Sequence, residues 1–203
     1  PKFSGVNIRL SLLNNNSKIE KIFELENEIS NRLGNIVYGK DKSTLEGVLS
    51  KLLLKNNLTI SLAESCTGGF VSKRITDIPG SSRYYYGSTI AYKNNIKVKY
   101  LNVSNKTINE YGVVSKQVVE EMAKGVRDKF LTKIGFAISG ISGPDGGSKE
   151  KPVGLVYMAL ATDTCCISKK FNLIPDRLIH REVACQVALN FIRLYVLENF
   201  NEL

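Results

Sequence analysis

The sequence predicts an α/β protein whose main part is a three-layer α/β/α sandwich built on a mixed, mostly parallel sheet. From Ser43 onwards, short apolar runs typical of buried strands alternate with longer amphipathic stretches typical of helices. A chain of 203 residues with 43% hydrophobic and 23% charged residues can also bury a sizeable core. We therefore divide the chain into a small α+β segment, residues 1–42, and an α/β domain, residues 43–203.

The first segment has the pattern of an incomplete α+β unit. Residues 5–13 alternate apolar and polar side chains, which predicts a half-buried strand. Residues 17–33 have helical apolar spacing, and residues 35–39 fit one more short strand. Because the chain opens at Pro1 inside a strand-like pattern, we expect this segment to be the end of a domain in a longer protein.

The second segment begins with an amphipathic helix at residues 44–54, for which Ser43 is a suitable N-cap. Further strands are predicted at residues 58–63, 88–92, 134–139, 153–161 and 165–171, and further helices at residues 69–76, 95–101, 115–130 and 176–200. Residues 154–164 fit a hairpin that adds an antiparallel strand.

The turn after the first of these strands, ESCTGG at residues 64–69, is the most chemically suggestive stretch. It leads into a helix whose first N–H groups should point back over Ser65 to Gly69. A serine on such a turn fits a nucleophile, with the N–H groups around Thr67 and Gly68 as an oxyanion hole. A Ser/Thr-capped helix, with glycines that only let the chain turn, fits the same residues.

The base for such a serine is restricted by the single histidine, His180. Nothing in the sequence places His180 beside Ser65, so lysine and tyrosine must be considered. Lys97 follows Tyr92 at the start of a predicted helix, and burial or a neighbouring cation would keep a lysine neutral enough to act as base. A solvated lysine-rich helix face is the alternative interpretation.

A second glycine-rich stretch, SGISGPDGG at residues 139–147, follows another predicted buried strand. Its N–H groups could cradle a phosphate or a carboxylate, although its spacing matches neither a P-loop nor a dinucleotide-binding turn. A flexible connection between two strands fits the spacing equally well.

The composition argues against several classes of protein. No apolar run approaches the roughly 20 residues of a membrane span and no signal peptide is visible, so we expect a cytoplasmic protein. The four cysteines have no CxxC spacing and no histidine cluster beside them, which predicts free thiols and no metal site. The net charge of +9 is spread along the chain, so we expect no nucleic-acid partner.

Several separated motifs together resemble the CinA C-terminal domain family, the nicotinamide-mononucleotide deamidases. The motifs are AESCTGG at 63–69, TDIPGSS at 76–82, Tyr92 with Lys97, YGVVS at 111–115, SGISGPDGG at 139–147, KPVG at 151–154 and DR at 176–177. The resemblance covers about residues 43–198. Residues 1–42 resemble the end of the KH-like domain that precedes this module in longer members.

The resemblance implies hydrolysis of the carboxamide of nicotinamide mononucleotide to nicotinic acid mononucleotide and ammonia, as part of NAD recycling. It implies a homodimer that uses no metal or other cofactor. It also implies Ser65 as the nucleophile, Lys97 as its base and Tyr92 as an assisting residue. The residues expected to bind substrate are Thr67, Gly68, Gly69, Ser139, Gly140, Gly143 and Arg177.

Two other functions stay open from the sequence. Cys66, next to Ser65, could be the nucleophile of a thiol amidase if its environment stabilised a thiolate. Alternatively, the chain could be a non-catalytic module that binds nucleotides, or a DNA-binding or competence-linked interaction module that uses its positive charge.

Overall fold

The computed structural model of the protein describes residues 5–12 and 19–200. Its strands are β1 (Ile60–Glu64), β2 (Tyr85–Ile90), β3 (Ile134–Gly140), β4 (Leu155–Ala161) and β5 (Cys166–Asn172). Its α-helices are α1 (Glu20–Leu33), α2 (Leu45–Lys55), α3 (Phe70–Thr76), α4 (Asn94–Leu101), α5 (Asn105–Tyr111), α6 (Lys116–Phe130) and α7 (Arg177–Phe200). Short 3-10 helices lie at Gly34–Ile36 and Ser81–Arg83.

The five strands form one sheet in the order β2-β1-β3-β4-β5. Strand β1 is parallel to both of its neighbours, whereas β4 is antiparallel to β3 and to β5. Four of the five strands therefore run in one direction, and the predicted mixed, mostly parallel sheet is confirmed. Strands β4 and β5 form the predicted hairpin, with its turn at residues 162–165.

Alternating strand residues supply a hydrophobic core on each face of the sheet. On one face, Leu62 and Phe136 belong to a cluster with residues of α2, α3 and α7. On the other, Ala63 and Ala137 belong to a cluster with residues of α4 and α6. Because helices cover both faces, the predicted three-layer sandwich is confirmed.

Helix α6 lies in close backbone contact with two neighbours. A Cβ on Gly135 of β3 would lie 2.2 Å from the Ala123 carbonyl oxygen, and one on Gly125 would lie 1.9 Å from the Leu101 carbonyl oxygen of α4. Only glycine can therefore occupy these two positions without a backbone shift. The position of α4, which carries Lys97, is set by this packing on α6.

The segment before residue 43 differs from its prediction. Helix α1 confirms the described part of the predicted helix, but residues 6–12 form no regular strand and residues 35–39 contain a 3-10 turn in place of a strand. Residues 13–18, which include the ends of two predicted elements, lie outside the described residues. Among the described residues α1 buries no side chain, and Val6 and Phe23 are 70% and 55% exposed. A strand needs a partner for its backbone hydrogen bonds, and no strand of the sheet pairs with residues 5–12 or 19–42.

Smaller differences occur inside the α/β domain. Thr44, and not Ser43, caps α2, since its hydroxyl accepts a hydrogen bond from the Gly47 N–H at 3.2 Å. Strand β2 begins and ends earlier than predicted, which leaves Tyr92 in the connection to α4. Helix α5 was not predicted, although Ser104 accepts a hydrogen bond from the Lys106 N–H and is a recognisable N-cap.

Candidate active site

Ser65 lies directly after the end of β1, an interior strand of the sheet. Its N–H donates to the Ile138 carbonyl oxygen at 3.0 Å, so the backbone of Ser65 is still tied to β3. Gly68 and Gly69 then adopt φ angles of 62° and 94°, which are strained for residues with a Cβ. These two glycines let the chain turn from β1 into α3, and the turn holds the Ser65 side chain at the carboxyl end of β1.

Lys97 of α4 contacts Ser65 directly. Its Nζ lies 3.1 Å from Ser65 Oγ and donates to the Ala91 carbonyl oxygen at 2.6 Å. The lysine is only 1% exposed, and this burial lowers its pKa from 10.5 to about 8, with a smaller opposing effect from Cys66. A large fraction of Lys97 is therefore neutral in mildly basic solution, and a neutral amine can accept the serine proton.

Cys66 differs sharply from the serine beside it. Its side chain is buried, and burial raises the pKa of the thiol to about 12, although the N–H groups of Cys66 and Thr67 act in the opposite direction. A thiol with that pKa is protonated near neutral pH and is a poor nucleophile. The arrangement therefore favours Ser65 over Cys66.

A buried carboxylate, Glu64, occupies the inside of the turn. It accepts hydrogen bonds from the Thr67 hydroxyl at 2.6 Å and from the N–H groups of Gly69, Val71 and Ser72 at 3.0, 3.2 and 2.8 Å. The Ser72 hydroxyl adds a fifth bond at 2.5 Å. The first N–H groups of α3, which we expected to point over Ser65 to Gly69, therefore mostly donate to the Glu64 carboxylate and not to a ligand.

Sequence analysis did not assign a role to Glu64. The signal was an acidic residue at the end of an apolar strand, immediately before a helix start. Because isolated charges are costly to bury, an acid at the end of a buried strand indicates a cluster of donors around it.

The N–H groups of the turn differ in their acceptors, and those of Cys66 and Thr67 lie near the Cys66 sulfur. The Gly68 N–H donates to the Ser65 carbonyl oxygen at 3.1 Å, and the Gly69 N–H is bound by the buried carboxylate. Within the described part of the chain, the N–H groups of Cys66 and Thr67 have no backbone acceptor. Of the two expected oxyanion-hole donors, Thr67 and Gly68, the Gly68 N–H is occupied, so an oxyanion hole beside Ser65 would use the N–H groups of Cys66 and Thr67.

Tyr92 lies against Arg177. The Arg177 Nη2 donates to the Tyr92 hydroxyl at 2.7 Å, and its Nη1 donates to the Gly143 carbonyl oxygen at 3.0 Å. No hydrogen bond joins Tyr92 to Ser65 or Lys97 among the described residues. The structure thus groups three of the expected site residues into a second cluster, apart from the serine–lysine pair.

The loop after β3 begins beside the nucleophile turn. Ser139 is buried, and its hydroxyl donates to the Val113 carbonyl oxygen at 3.4 Å. A Cβ on Gly140 would lie 2.8 Å from the Leu155 carbonyl oxygen and 3.2 Å from Cys66 Sγ. Gly140 therefore permits close packing of the loop on the turn, and Ser139 anchors the loop to the connection before α6.

The first turns of α7 contact both connections. Arg181 Nη2 donates to the Thr67 carbonyl oxygen at 2.9 Å, and His180 Nδ1 lies 2.9 Å from Ser142 Oγ. Arg177 lies three and four residues before them, so all three side chains share one helix face. Sequence analysis missed Arg181 and Ser142, which the i, i+3, i+4 spacing in DRLIHR could have indicated.

Neither a metal-binding cluster nor a membrane-spanning helix is found in the described ranges. Over residues 5–12 and 19–200, no group of three or more His, Cys, Asp or Glu side chains could hold a metal ion. No helix within those ranges is long and apolar enough to cross a membrane.

Sequence comparison finds relatives over most of the chain. The family model of the CinA C-terminal domain matches residues 42–196. The CinA-like protein of Dictyoglomus thermophilum is 46% identical over 175 residues, which are 86% of this chain and 42% of that protein. The CinA-like protein of Dictyoglomus turgidum is 44% identical over 181 residues, which are 89% of this chain and 41% of that protein. The chain thus spans a little under half the length of these curated relatives.

Solved structures share the fold. The competence/damage inducible protein CihA from Agrobacterium tumefaciens has a TM-score of 0.70 and 29% identity, over 78% of this chain and 99% of that one. Competence damage-inducible protein A (ComA) from Klebsiella pneumoniae has a TM-score of 0.74 and 24% identity, over 77% and 97%. With most of its length matched by the family model and relatives above 40% identity, the chain belongs to the CinA C-terminal domain family.

Proposed function

We propose that the chain is an amidohydrolase that converts nicotinamide mononucleotide to nicotinic acid mononucleotide and ammonia. The observation that carries the proposal is the 3.1 Å contact between Lys97 Nζ and Ser65 Oγ in a buried setting. The resemblance to the deamidases suggests the substrate, and the contact between Ser65 and Lys97 supports a serine–lysine mechanism.

In the first half of the reaction, neutral Lys97 takes the proton of Ser65 as Oγ attacks the carboxamide carbon. The negative charge that develops on the amide oxygen is stabilised by the N–H groups of Cys66 and Thr67. Charged Lys97 then returns the proton to the leaving nitrogen. The C–N bond breaks, ammonia departs and the acyl group stays on Ser65.

In the second half, water replaces ammonia. Lys97, neutral again, removes a proton from a water molecule that attacks the ester carbon, and the same N–H groups stabilise the second tetrahedral intermediate. The ester bond breaks, Ser65 recovers its proton from Lys97, and the carboxylic acid is released.

Arg177 is suited to bind the phosphate of the nucleotide. It is exposed, and a guanidinium has five N–H donors, of which only some are used by Tyr92 and Gly143. In this arrangement Tyr92 assists the reaction by orienting Arg177. Ser139 and Gly140, at the end of β3, would shape the space between the phosphate and the amide.

The test is to incubate the purified chain with nicotinamide mononucleotide and measure ammonia and nicotinic acid mononucleotide. Nicotinamide riboside, which lacks the phosphate, should react with a much higher KM, and Arg177→Ala should remove that difference. Lys93→Ala, a change to an exposed lysine beside α4, is the control for charge. Absence of ammonia release, together with DNA binding that weakens steeply with salt, would favour the interaction-module alternative.

The proposal also includes a cytoplasmic homodimer, as the resemblance implies. Sedimentation equilibrium of the purified chain tests the dimer. A mass of one chain at micromolar concentration would contradict it.

A further inference from the structure

His180 is buried and has no role in the proposed chemistry. It is the single histidine of the chain and is 0% exposed. Its Nδ1 lies 2.9 Å from the Ser142 hydroxyl, whereas its Nε2 is buried without a hydrogen-bond partner among the described residues. An incompletely paired polar ring is unfavourable in a protein interior, so this histidine needs an explanation.

Ser142 lies at the base of the loop that joins β3 to β4. The base is closed by the Ile141 N–H, which donates to the Leu155 carbonyl oxygen, and by the Gly154 N–H, which donates to the Ile141 carbonyl oxygen, both at 2.8 Å. Ser142 and Gly143 are buried, whereas residues 144–150 are exposed. The bond to His180 is therefore made where the loop leaves the core.

The neighbours of His180 on α7 hold the other parts of the site. Arg177 binds the loop at Gly143, and Arg181 binds the turn that carries Ser65 at the Thr67 carbonyl oxygen. Because all three side chains belong to the start of α7, the bond from His180 to Ser142 ties the loop to the helix that also contacts the turn.

We propose that His180 is a positioning residue: while uncharged, it holds Ser142 and keeps the 141–154 loop in place against the turn that carries Ser65, and a charge on the buried imidazole, beside the Arg177 guanidinium, favours opening of the loop. The proposal goes beyond the proposed hydrolysis, and only the kinetic arm of its test rests on that reaction.

The surroundings of the ring make a charge unfavourable. Burial lowers the pKa of His180 from its ordinary value of 6.5, the Gly154 backbone opposes that shift, and the charge of Arg177 adds to it. The groups that face the ring from the loop and from the start of β4, Ser142 and Gly154, are uncharged. Arg181 is a further cation on the same face.

Two carboxylates near α7, Asp176 and Glu46, are already engaged, and Glu182 of α7 is exposed. Asp176 caps the helix by accepting hydrogen bonds from the N–H groups of Leu178 and Ile179. From α2 and α3, which pack on α7, Glu46 and Arg74 pair with each other at 2.6 Å. An imidazolium at position 180 would therefore lie near the Arg177 guanidinium, and among the described residues no carboxylate is hydrogen-bonded to the ring.

The first arm of the test needs no enzymatic activity. Because the untagged chain has one histidine, its imidazole gives a single NMR signal, which should titrate below pH 6.5. Hydrogen exchange of residues 141–154, corrected for the intrinsic pH dependence, should become faster as that signal titrates. His180→Asn keeps a hydrogen-bonding group near the Nδ1 position but cannot gain a charge, so its loop exchange should show no such step.

Matched variants separate positioning from general damage. Ser142→Ala should make loop exchange fast at every pH, because the bond to His180 is gone. Leu178→Ala changes an exposed side chain in the same helix turn and should behave as the wild type. Equal, pH-independent loop exchange in the wild type and His180→Asn would overturn the proposal, as would a histidine signal that titrates without any change in the loop.

The kinetic arm compares pH profiles. Each group that must be neutral for activity lowers kcat/KM about tenfold for every pH unit below its pKa. The kcat/KM of the wild type should therefore fall about tenfold per pH unit below the pKa of Lys97. It should fall about a hundredfold per pH unit below the pKa of His180, where both groups are charged. His180→Asn should keep the tenfold dependence throughout and recover most of the activity that His180→Ala loses. The same steep acid limb in His180→Asn would count against the proposal. If no ammonia is released at all, the hydrolysis fails, and the NMR and exchange data alone decide the positioning role.

Discussion

Two glycine-rich connections meet at the same end of the sheet and are held in different ways. The turn at residues 64–69 follows β1, and the 141–154 loop follows β3, which is paired with β1. The turn is held by its own carboxylate, Glu64, through five short-range hydrogen bonds. The loop is held by contacts with other parts of the chain: Arg177 and His180 of α7 bind Gly143 and Ser142, and the loop's own Lys151 binds the Tyr111 carbonyl oxygen.

This difference separates two requirements of a hydrolase. A nucleophile must keep one geometry relative to its base, and a turn stabilised by neighbouring residues does so independently of distant parts of the chain. A loop that closes over a substrate has to move, and a loop held by a few exposed or titratable side chains can open without unfolding the sheet. We therefore expect changes in the turn to be severe and changes in the loop to be graded.

The largest effect is expected for the nucleophile itself. Ser65→Ala should lower kcat for ammonia release by roughly 10³-fold or more, because no other group of the turn can form the acyl intermediate. Cys66→Ala removes a thiol that stays protonated, and it should keep most of the activity. Continuous ammonia assays on both variants make the comparison, and near-normal rates in Ser65→Ala would exclude this serine as nucleophile.

The base should have almost as large an effect and should set the pH dependence. Since Lys97 acts when neutral and burial lowers its pKa to about 8, kcat/KM should rise with pH up to about 8 and then level off. Lys97→Arg cannot lose its proton and should be slower by about 10³-fold. Tyr92→Phe should lose less, mainly through a higher KM. A Lys97→Arg enzyme with an unchanged rate and pH profile would rule out the serine–lysine mechanism.

The turn and the loop each contain a hydrogen-bonded carboxylate, and removing these two carboxylates should change the stability of the protein by very different amounts. Glu64→Ala leaves several buried N–H groups without an acceptor and should lower the free energy of unfolding by about 3–5 kcal/mol. Glu150→Ala removes an exposed carboxylate bound to Ser148 in the loop, and it should have little effect. Urea unfolding followed by circular dichroism measures both. Similar losses for the two variants would mean that the turn is not the more rigid connection.

A smaller, opposite effect is expected for the stability of a Lys97 variant. Lys97 has a lower pKa in the folded state than in the unfolded state, so its positive charge destabilises the folded protein. This destabilising contribution is fully present below pH 8, where the lysine is charged in both states. As the pH rises from 8 towards 10.5, the unfolded chain also loses the proton and the contribution disappears. Lys97→Met should thus raise the free energy of unfolding at pH 7 by about 1–3 kcal/mol, with less gain at pH 10. An equal gain at both values would contradict burial as the cause.

The smallest effect is expected for the loop's own lysine, Lys151, which binds the last residue of the neighbouring helix α5. Lys151 Nζ donates to the Tyr111 carbonyl oxygen at 2.5 Å at the protein surface. Lys151→Ala should lower the free energy of unfolding by less than about 1 kcal/mol and raise KM two- to threefold, at about the strength of one exposed hydrogen bond. Lys149→Ala, an exposed lysine of the same loop, is the control. An abolished activity in Lys151→Ala would show that the loop is less tolerant than we propose.

Most of the sandwich was predictable because its signals are local. Apolar runs and helical spacing depend on neighbouring residues, so the strands and the longer helices lie close to their predicted positions. The strand predicted at residues 5–13 is wrong over residues 6–12 for the same reason. The alternation of apolar and polar residues there is typical of a strand, but a strand also needs a pairing partner, which a local pattern does not reveal. Ser65 and Lys97 were identifiable because both lie next to ends of predicted elements.

The arrangement of the site was less predictable because it depends on contacts between distant residues. Arg177 binds Tyr92 across 85 positions, and nothing in either motif indicates this pairing. The low pKa of Lys97 follows from its burial, and the sequence around a lysine does not indicate whether the side chain is buried. Glu64 was overlooked since its donors come from the next helix, and their orientation is fixed only after the turn has formed.

Gly125 has a consequence for how variation is tolerated in this chain. A methyl group there would press on the Leu101 carbonyl oxygen at 1.9 Å, and an ordinary contact of 3.4 Å requires α4 and α6 to separate by roughly 1.5 Å. Leu101 lies one helical turn after Lys97, so the lysine would move with it and lose its contact with Ser65. In a library of random variants, substitutions at Gly125 should therefore appear among the inactive but folded proteins, although this glycine contributes no atom to the reaction.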